Sequence, residues 1–98
     1  MIVKLEIAYL PEYSPEMGKR FKQEIQWPAG VVMRGPYLYP VISEGKRALF
    51  LFEFDKARMG EAMDAIRVYP LRFYGMPGFS YSLQICIEAV SEARDFMP

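Results

Sequence analysis

The run Ala48-Leu49-Phe50-Leu51-Phe52-Glu53-Phe54 is the stretch that most restricts the fold. It is short, aromatic and preceded by Gly45-Lys46-Arg47, so it reads as a β-strand. Successive side chains of a strand point to opposite faces. Ala48, Phe50, Phe52 and Phe54 therefore share one face, and Leu49, Leu51 and Glu53 share the other. Both faces are largely apolar, and a strand covered on both sides belongs in the middle of its sheet.

The rest of the chain supplies partners for this strand. Ile2 to Leu10 alternates, with Val3, Leu5, Ile7 and Tyr9 on an apolar face and Lys4, Glu6 and Ala8 opposite; Pro11 stops it. Ser14-Pro15-Glu16 predicts a helix start, with Ser14 as cap, proline in the first turn and an acid at the positive end of the dipole. Met17, Phe21 and Ile25 then form one helical stripe, and Pro28-Ala29-Gly30 ends the segment. Val31 to Ile42 is extended but carries Pro36 and Pro40, which cannot donate to a ladder. This strand therefore belongs at an edge or contains a bulge. Ser43-Glu44-Gly45 is a connection of hairpin length.

Beyond the central strand, Asp55 predicts a second helix cap, and Met59, Ala62, Met63 and Ile66 form an inner face. Gly60 weakens that helix and Pro70 terminates it. Leu71 to Gly78 reads as a loop. Phe79 to Ile87 reads as the last strand, with Tyr81, Leu83, Ile85 and Ile87 on one face and Ser80, Ser82, Gln84 and Cys86 on the other. Ser91 to Met97 predicts a short terminal helix.

Composition excludes several functions. The 98 residues suit one domain, residues 1–98, and a chain this small gains by association. Twelve basic side chains balance twelve acidic ones, which leaves no electrostatic footprint for nucleic acid or an anionic membrane. No apolar run approaches the roughly 20 residues of a membrane helix. The alternating N-terminus does not read as a signal peptide. Cys86 is the single cysteine, so one chain holds no internal disulfide and no cysteine-based metal cluster. That usage is compatible with a reducing, cytoplasmic setting. Histidine is absent, which removes histidine-ligated haem, histidine-bound zinc or iron, and any triad with an imidazole base. The sequence implies no metal and no cofactor.

The element order is strand, helix, strand, strand, helix, strand, the order of an α+β, ferredoxin-like (split βαβ) domain. It predicts a four-stranded antiparallel sheet with both helices on one face. Strand one should lie between strands three and four, with strand two outside strand three. Ile7 and Phe52 should then pack against the helices. Val68-Tyr69-Pro70-Leu71-Arg72-Phe73-Tyr74 is similar to the Leu-Pro-Leu-Phe-Pro-Tyr stretch that the muconolactone isomerase-like group carries between its second helix and last strand. The shared features are the Pro-Leu pair, the Phe that follows one residue on, and the neighbouring Tyr. Element order and length over residues 1–87 also resemble this group of dimeric α/β-barrel proteins. The resemblance implies two protomers packed sheet on sheet, with ligands held between sheet and helices or inside the barrel. It transfers no catalytic residue.

Candidate chemistry falls on the face opposite the helices, with Lys4, Glu6, Leu49, Leu51, Glu53, Ser82 and Gln84; Arg34 is added from the edge strand. The ordinary reading is a subunit interface or a wet face with Lys4–Glu or Arg34–Glu ion pairs. Enclosed carboxylates can instead acquire raised pKa values, which makes Glu6 and Glu53 the candidate catalytic acids or bases. Lys4, Arg34, Tyr37, Gln84 and Tyr74 are the candidate ligand-binding residues. Glu53 requires either a cation, Lys4 or Arg34, or a polar cavity. Tyr37, Tyr39, Tyr69, Phe73, Tyr74 and Trp27 either line an aromatic pocket or belong to core and interface. Arg67 and Arg72, which flank Tyr69-Pro70, are either an anion site or solvated surface. Cys86 reads as a small buried apolar residue.

Three functions remain open. One is a homodimer, or higher homo-oligomer, that binds a small organic molecule. Another is a cofactor-free isomerase or oxygenase-like enzyme that uses Glu6 or Glu53 as base. The third is a regulatory or structural interaction module.

Overall fold

The computed structural model of the chain describes residues 1–42 and 45–86. The predicted turn residues Ser43 and Glu44, Ile87 at the end of the last strand, and the predicted helix over 91–97 lie outside the described residues. The regular elements are β1 (Ile2–Tyr9), α1 (Ser14–Phe21), β2 (Val32–Val41), β3 (Gly45–Glu53), α2 (Met59–Val68) and β4 (Ser80–Cys86). The sheet is antiparallel in the order β2-β3-β1-β4. This is the ferredoxin-like α+β arrangement, with the doubly apolar strand and β1 in the centre and the proline-bearing strand at an edge.

Cross-strand register puts Val3 opposite Phe52, Leu5 opposite Phe50 and Ile7 opposite Ala48. All six side chains are fully buried beneath the helices, as are Met17 of α1 and Ala62 and Ile66 of α2. A fully buried Phe or Ile contributes about 1.5–3 kcal/mol of transfer free energy, so this layer is the principal source of stability. Its centre is a set of mutually tilted rings. Phe21 lies 5.7 Å from Phe50 and 5.4 Å from Phe73, Tyr69 lies 5.3 Å from Phe50, and Trp27 meets Phe52 at 4.9 Å. The fully buried strand residues all come from β1 and β3. On β4 the same-facing Tyr81 and Ile85 remain partly exposed, because the helices lie over the two central strands.

The helix ends differ from the sequence reading. Ser14 does not cap α1. A 3-10 turn over Pro11–Tyr13 precedes the helix, and the Ser14 hydroxyl donates back to the Pro11 carbonyl at 2.7 Å. The proline-led turn already sets the entry direction, so no side-chain cap is made at that end. α1 also stops at Phe21, before Ile25. Pro28 disfavours helical geometry at Trp27, and Trp27 is drawn onto Phe52 and Tyr69. Ile25 still packs on the core, from outside the helix. Asp55 does act as a cap, accepting from the Ala57 amide at 3.3 Å, at the start of a 3-10 turn that leads into α2. After Val68 the chain tightens into a 3-10 turn over Tyr69–Phe73 that accommodates Pro70 in its first turn. Part of the predicted loop is therefore ordered helical turn, and it supplies Tyr69, Pro70 and Phe73 to the core.

A bulge interrupts β2. Arg34 pairs with Leu51 and Tyr37 with Leu49, so Gly35 and Pro36 together oppose Phe50 alone. Gly35 has φ of +108°, and a Cβ there would lie 2.5 Å from the Leu49 carbonyl oxygen. Only glycine fits that backbone without displacement.

Candidate functional site

The sheet face away from the helices carries an organised polar cluster. Glu6 projects from the middle of β1, beside Leu49 of β3 and Ser82 of β4. Arg47 stands two residues from Leu49 on the same face of β3, and Tyr39 stands opposite Arg47 on β2. The Tyr39 hydroxyl donates to one Glu6 carboxylate oxygen at 2.7 Å, and an Arg47 Nη donates to the other at 2.8 Å. Tyr39 thus spans β3 to reach β1, a distance of roughly two strand spacings, about 9.6 Å. Each carboxylate oxygen has its own donor. The hydrogen bond from Tyr39, with Arg47 behind it, holds the Glu6 carboxyl below its ordinary value despite partial burial. The same hydrogen bond raises the Tyr39 phenol, which stays protonated as a donor.

Arg34 and Glu53 form a second pair, 2.9 Å apart and about half exposed on both sides. Of the two cations predicted for Glu53, Arg34 is the partner. Lys4 lies directly opposite Gln84 and adds positive potential toward Glu6. Tyr37 lies beside Leu49 with its ring half exposed. Glu6, Glu53, Lys4, Arg34, Tyr37 and Gln84 therefore share one face. Tyr74 does not join them. It lies on the helical side, where its ring meets Phe79 edge-on at 6.0 Å.

The aromatic set divides in the same way. Trp27, Tyr69 and Phe73 enter the core, whereas Tyr37 and Tyr39 decorate the open face. Cys86 is a correction to the sequence reading. It is exposed, because it sits on the outermost strand and shares the uncovered face with Ile2. Among the described residues no three potential ligand side chains converge on a metal position. No described helix is long and apolar enough to cross a membrane.

Two members of the Glu6 cluster escaped the sequence reading. Arg47 was legible, because extending the two-residue period upstream from Leu51 and Leu49 places it on their face. Tyr39 was not. Unbroken alternation would set Arg34 and Tyr39 on opposite faces, and the Gly35–Pro36 bulge brings them to the same one.

A cleft of about 260 Å³ lies elsewhere, on the helical side. One wall is the chain following α1, through Ile25, Gln26 and Trp27; the other is α2 and its extension, through Ala65, Val68, Tyr69 and Arg72. No residue of the sheet lines it.

The fold and these two sites define a small ferredoxin-like α+β domain with a polar cluster on its open sheet face and a separate aromatic cleft. No family model matches the chain, and neither a curated protein nor a solved structure matches it.

Proposed function

We propose that the chain is a small-molecule-binding protein that works as a homodimer, with two open sheet faces apposed as in the dimeric α/β-barrel proteins it resembles. The observation that carries this reading is the composition of the open face. Tyr37, Leu49 and Leu51 stand beside a prearranged Glu6–Tyr39–Arg47 cluster, Val32 lies further along the same face, and the two helices shield only the other side. A four-stranded sheet eight residues long presents a flat area of roughly 500 Å², the order that a standard interface takes from each partner, about 800 Å². Between apposed sheets, the phenol and guanidinium would offer fixed donors to a polar group of a small organic ligand, beside the apolar Leu49 and Leu51.

The lowered Glu6 pKa favours binding over proton transfer. A carboxylate held by two donors and stabilised as the anion is a weak base near neutral pH. The alternative with Glu6 as catalytic base therefore draws no support from this cluster. Static light scattering at micromolar concentration tests the assembly. The expected mass is twice the 11.4 kDa of the chain, and the monomer mass would overturn the reading.

A further inference from the structure

We propose that the cleft between α2 and the chain following α1 is a binding site for a small planar aromatic monocarboxylate. It is separate from the open sheet face and does not depend on dimerisation there. Ala65, Val68, Tyr69 and Arg72 are spaced three, four and seven residues apart, so the chain presents them as one stripe toward Ile25 and Trp27.

Three observations set the ligand chemistry. Tyr69 is only 2% exposed, yet its hydroxyl has no hydrogen-bond partner among the described residues and is not sealed from solvent. The hydroxyl keeps its access to water, and a ligand that enters the cleft can accept its hydrogen bond in place of that water. Burial raises its pKa to about 12, so it remains a donor at neutral pH. Next, the Trp27 ring is fixed against Phe52 at 4.9 Å and Tyr69 at 5.6 Å, which makes a rigid aromatic wall. Finally, the Arg72 guanidinium lies 5.9 Å from the Tyr69 ring centroid and makes no ion pair among the described residues. Arg20 holds the turn from which Arg72 projects, donating to the Arg72 carbonyl at 2.8 Å and the Tyr74 carbonyl at 3.4 Å.

The half-buried Trp27 indole offers an aromatic surface to a planar ring, and one guanidinium selects one carboxylate. The 260 Å³ volume suits one or two rings. Ile25, Val68 and Ala65 disfavour a bare hydrated anion, which gains nothing from apolar walls.

Trp27 is the only tryptophan, so its emission reports on the cleft without a label. Titration of the full chain with benzoate should give a saturable change. Benzyl alcohol, neutral and of similar shape, should bind about tenfold more weakly or worse. Arg72→Met should weaken benzoate by about tenfold and leave benzyl alcohol unchanged. A second variant, Ala65→Leu, adds bulk to one wall and should abolish the benzoate response, which keeps the test available if Arg72→Met does not fold. The proposal fails if benzoate gives no saturable change up to roughly 10 mM. It fails equally if benzoate and benzyl alcohol bind alike, or if inorganic phosphate competes with benzoate at equal concentration. None of these outcomes bears on the mass from light scattering, so this site and the proposed sheet-face assembly stand or fall separately.

Discussion

Glu6 is the residue whose environment departs furthest from what alternation alone implies. Its two carboxylate oxygens accept from Tyr39 and Arg47, and its pKa is lowered accordingly. A depressed carboxyl pKa contributes stability that is present above the unfolded value and lost as pH falls through the folded value. Glu6→Gln keeps the shape but removes the charge. It should cost on the order of 1 kcal/mol at neutral pH, seen as a melting temperature lower by about 4–8 °C for a domain of this size. The difference should close as pH falls through the lowered Glu6 pKa, where the wild-type carboxyl itself becomes protonated. Melting curves for both proteins across pH check this, and a difference that persists at acid pH would show that packing rather than charge is at stake. The Arg34–Glu53 pair, half exposed on both sides, should contribute no more than about 1 kcal/mol. Its legibility came from simple chemistry: a carboxylate on a central strand needs a cation, and that face of the sheet offers few.

Among the elements, β2 and α1 show how local backbone decides side-chain position. The bulge at Gly35 and Pro36 turns Tyr37 and Tyr39 toward Glu6. Gly35→Ala forces a Cβ to within 2.5 Å of the Leu49 carbonyl oxygen at a backbone angle of +108°. It should destabilise by about 1–3 kcal/mol. It should also weaken the Tyr39–Glu6 contact, so combining it with Glu6→Gln should cost less than the sum of the two changes. Gly18 is the opposite case. It sits inside α1 with helical backbone, and beyond its own turn of helix no atom lies within 4 Å of an added Cβ. Gly18→Ala should therefore stabilise by about 0.5–1 kcal/mol. Chemical denaturation of the two single variants checks both signs. Helix existence was readable from the Met17–Phe21 stripe and from Asp55, whereas the ends were not. Ser14 turned back to Pro11, and the helix ended at Phe21, with Trp27 packed on Phe52 and Tyr69.

For the molecule as a whole, one layer of helices over one sheet leaves a face that no described residue covers. Leu49 and Leu51 lie at the middle of that face, beside Glu6 and Lys4. If two such faces meet, a charge at the centre of the contact is expensive to desolvate. Leu49→Lys should shift the protein toward the monomer mass in light scattering while leaving its circular dichroism unchanged, because the helix-covered core does not include Leu49. A Leu49→Lys protein with the same mass as wild type would place any association surface elsewhere.

Sequence alone determined the sheet order and the inner layer. Those depend on periodicity, turn residues and the rule that a doubly apolar strand is central, all of which are local or compositional. Val3, Leu5, Ile7, Phe50 and Phe52 were therefore assigned to the buried face by counting in twos. Tertiary structure decided what counting cannot reach. The bulge reset the alternation of β2 and brought Tyr39 onto Glu6. The outer position of β4 left Cys86 exposed, although its residue type suggested burial. The cleft arose because Trp27 and Tyr69, 42 residues apart in sequence, meet over the Phe52 ring. The physical reason is the same in each case. A side chain's direction follows from local backbone, but its neighbours follow from which distant segments pack beside it.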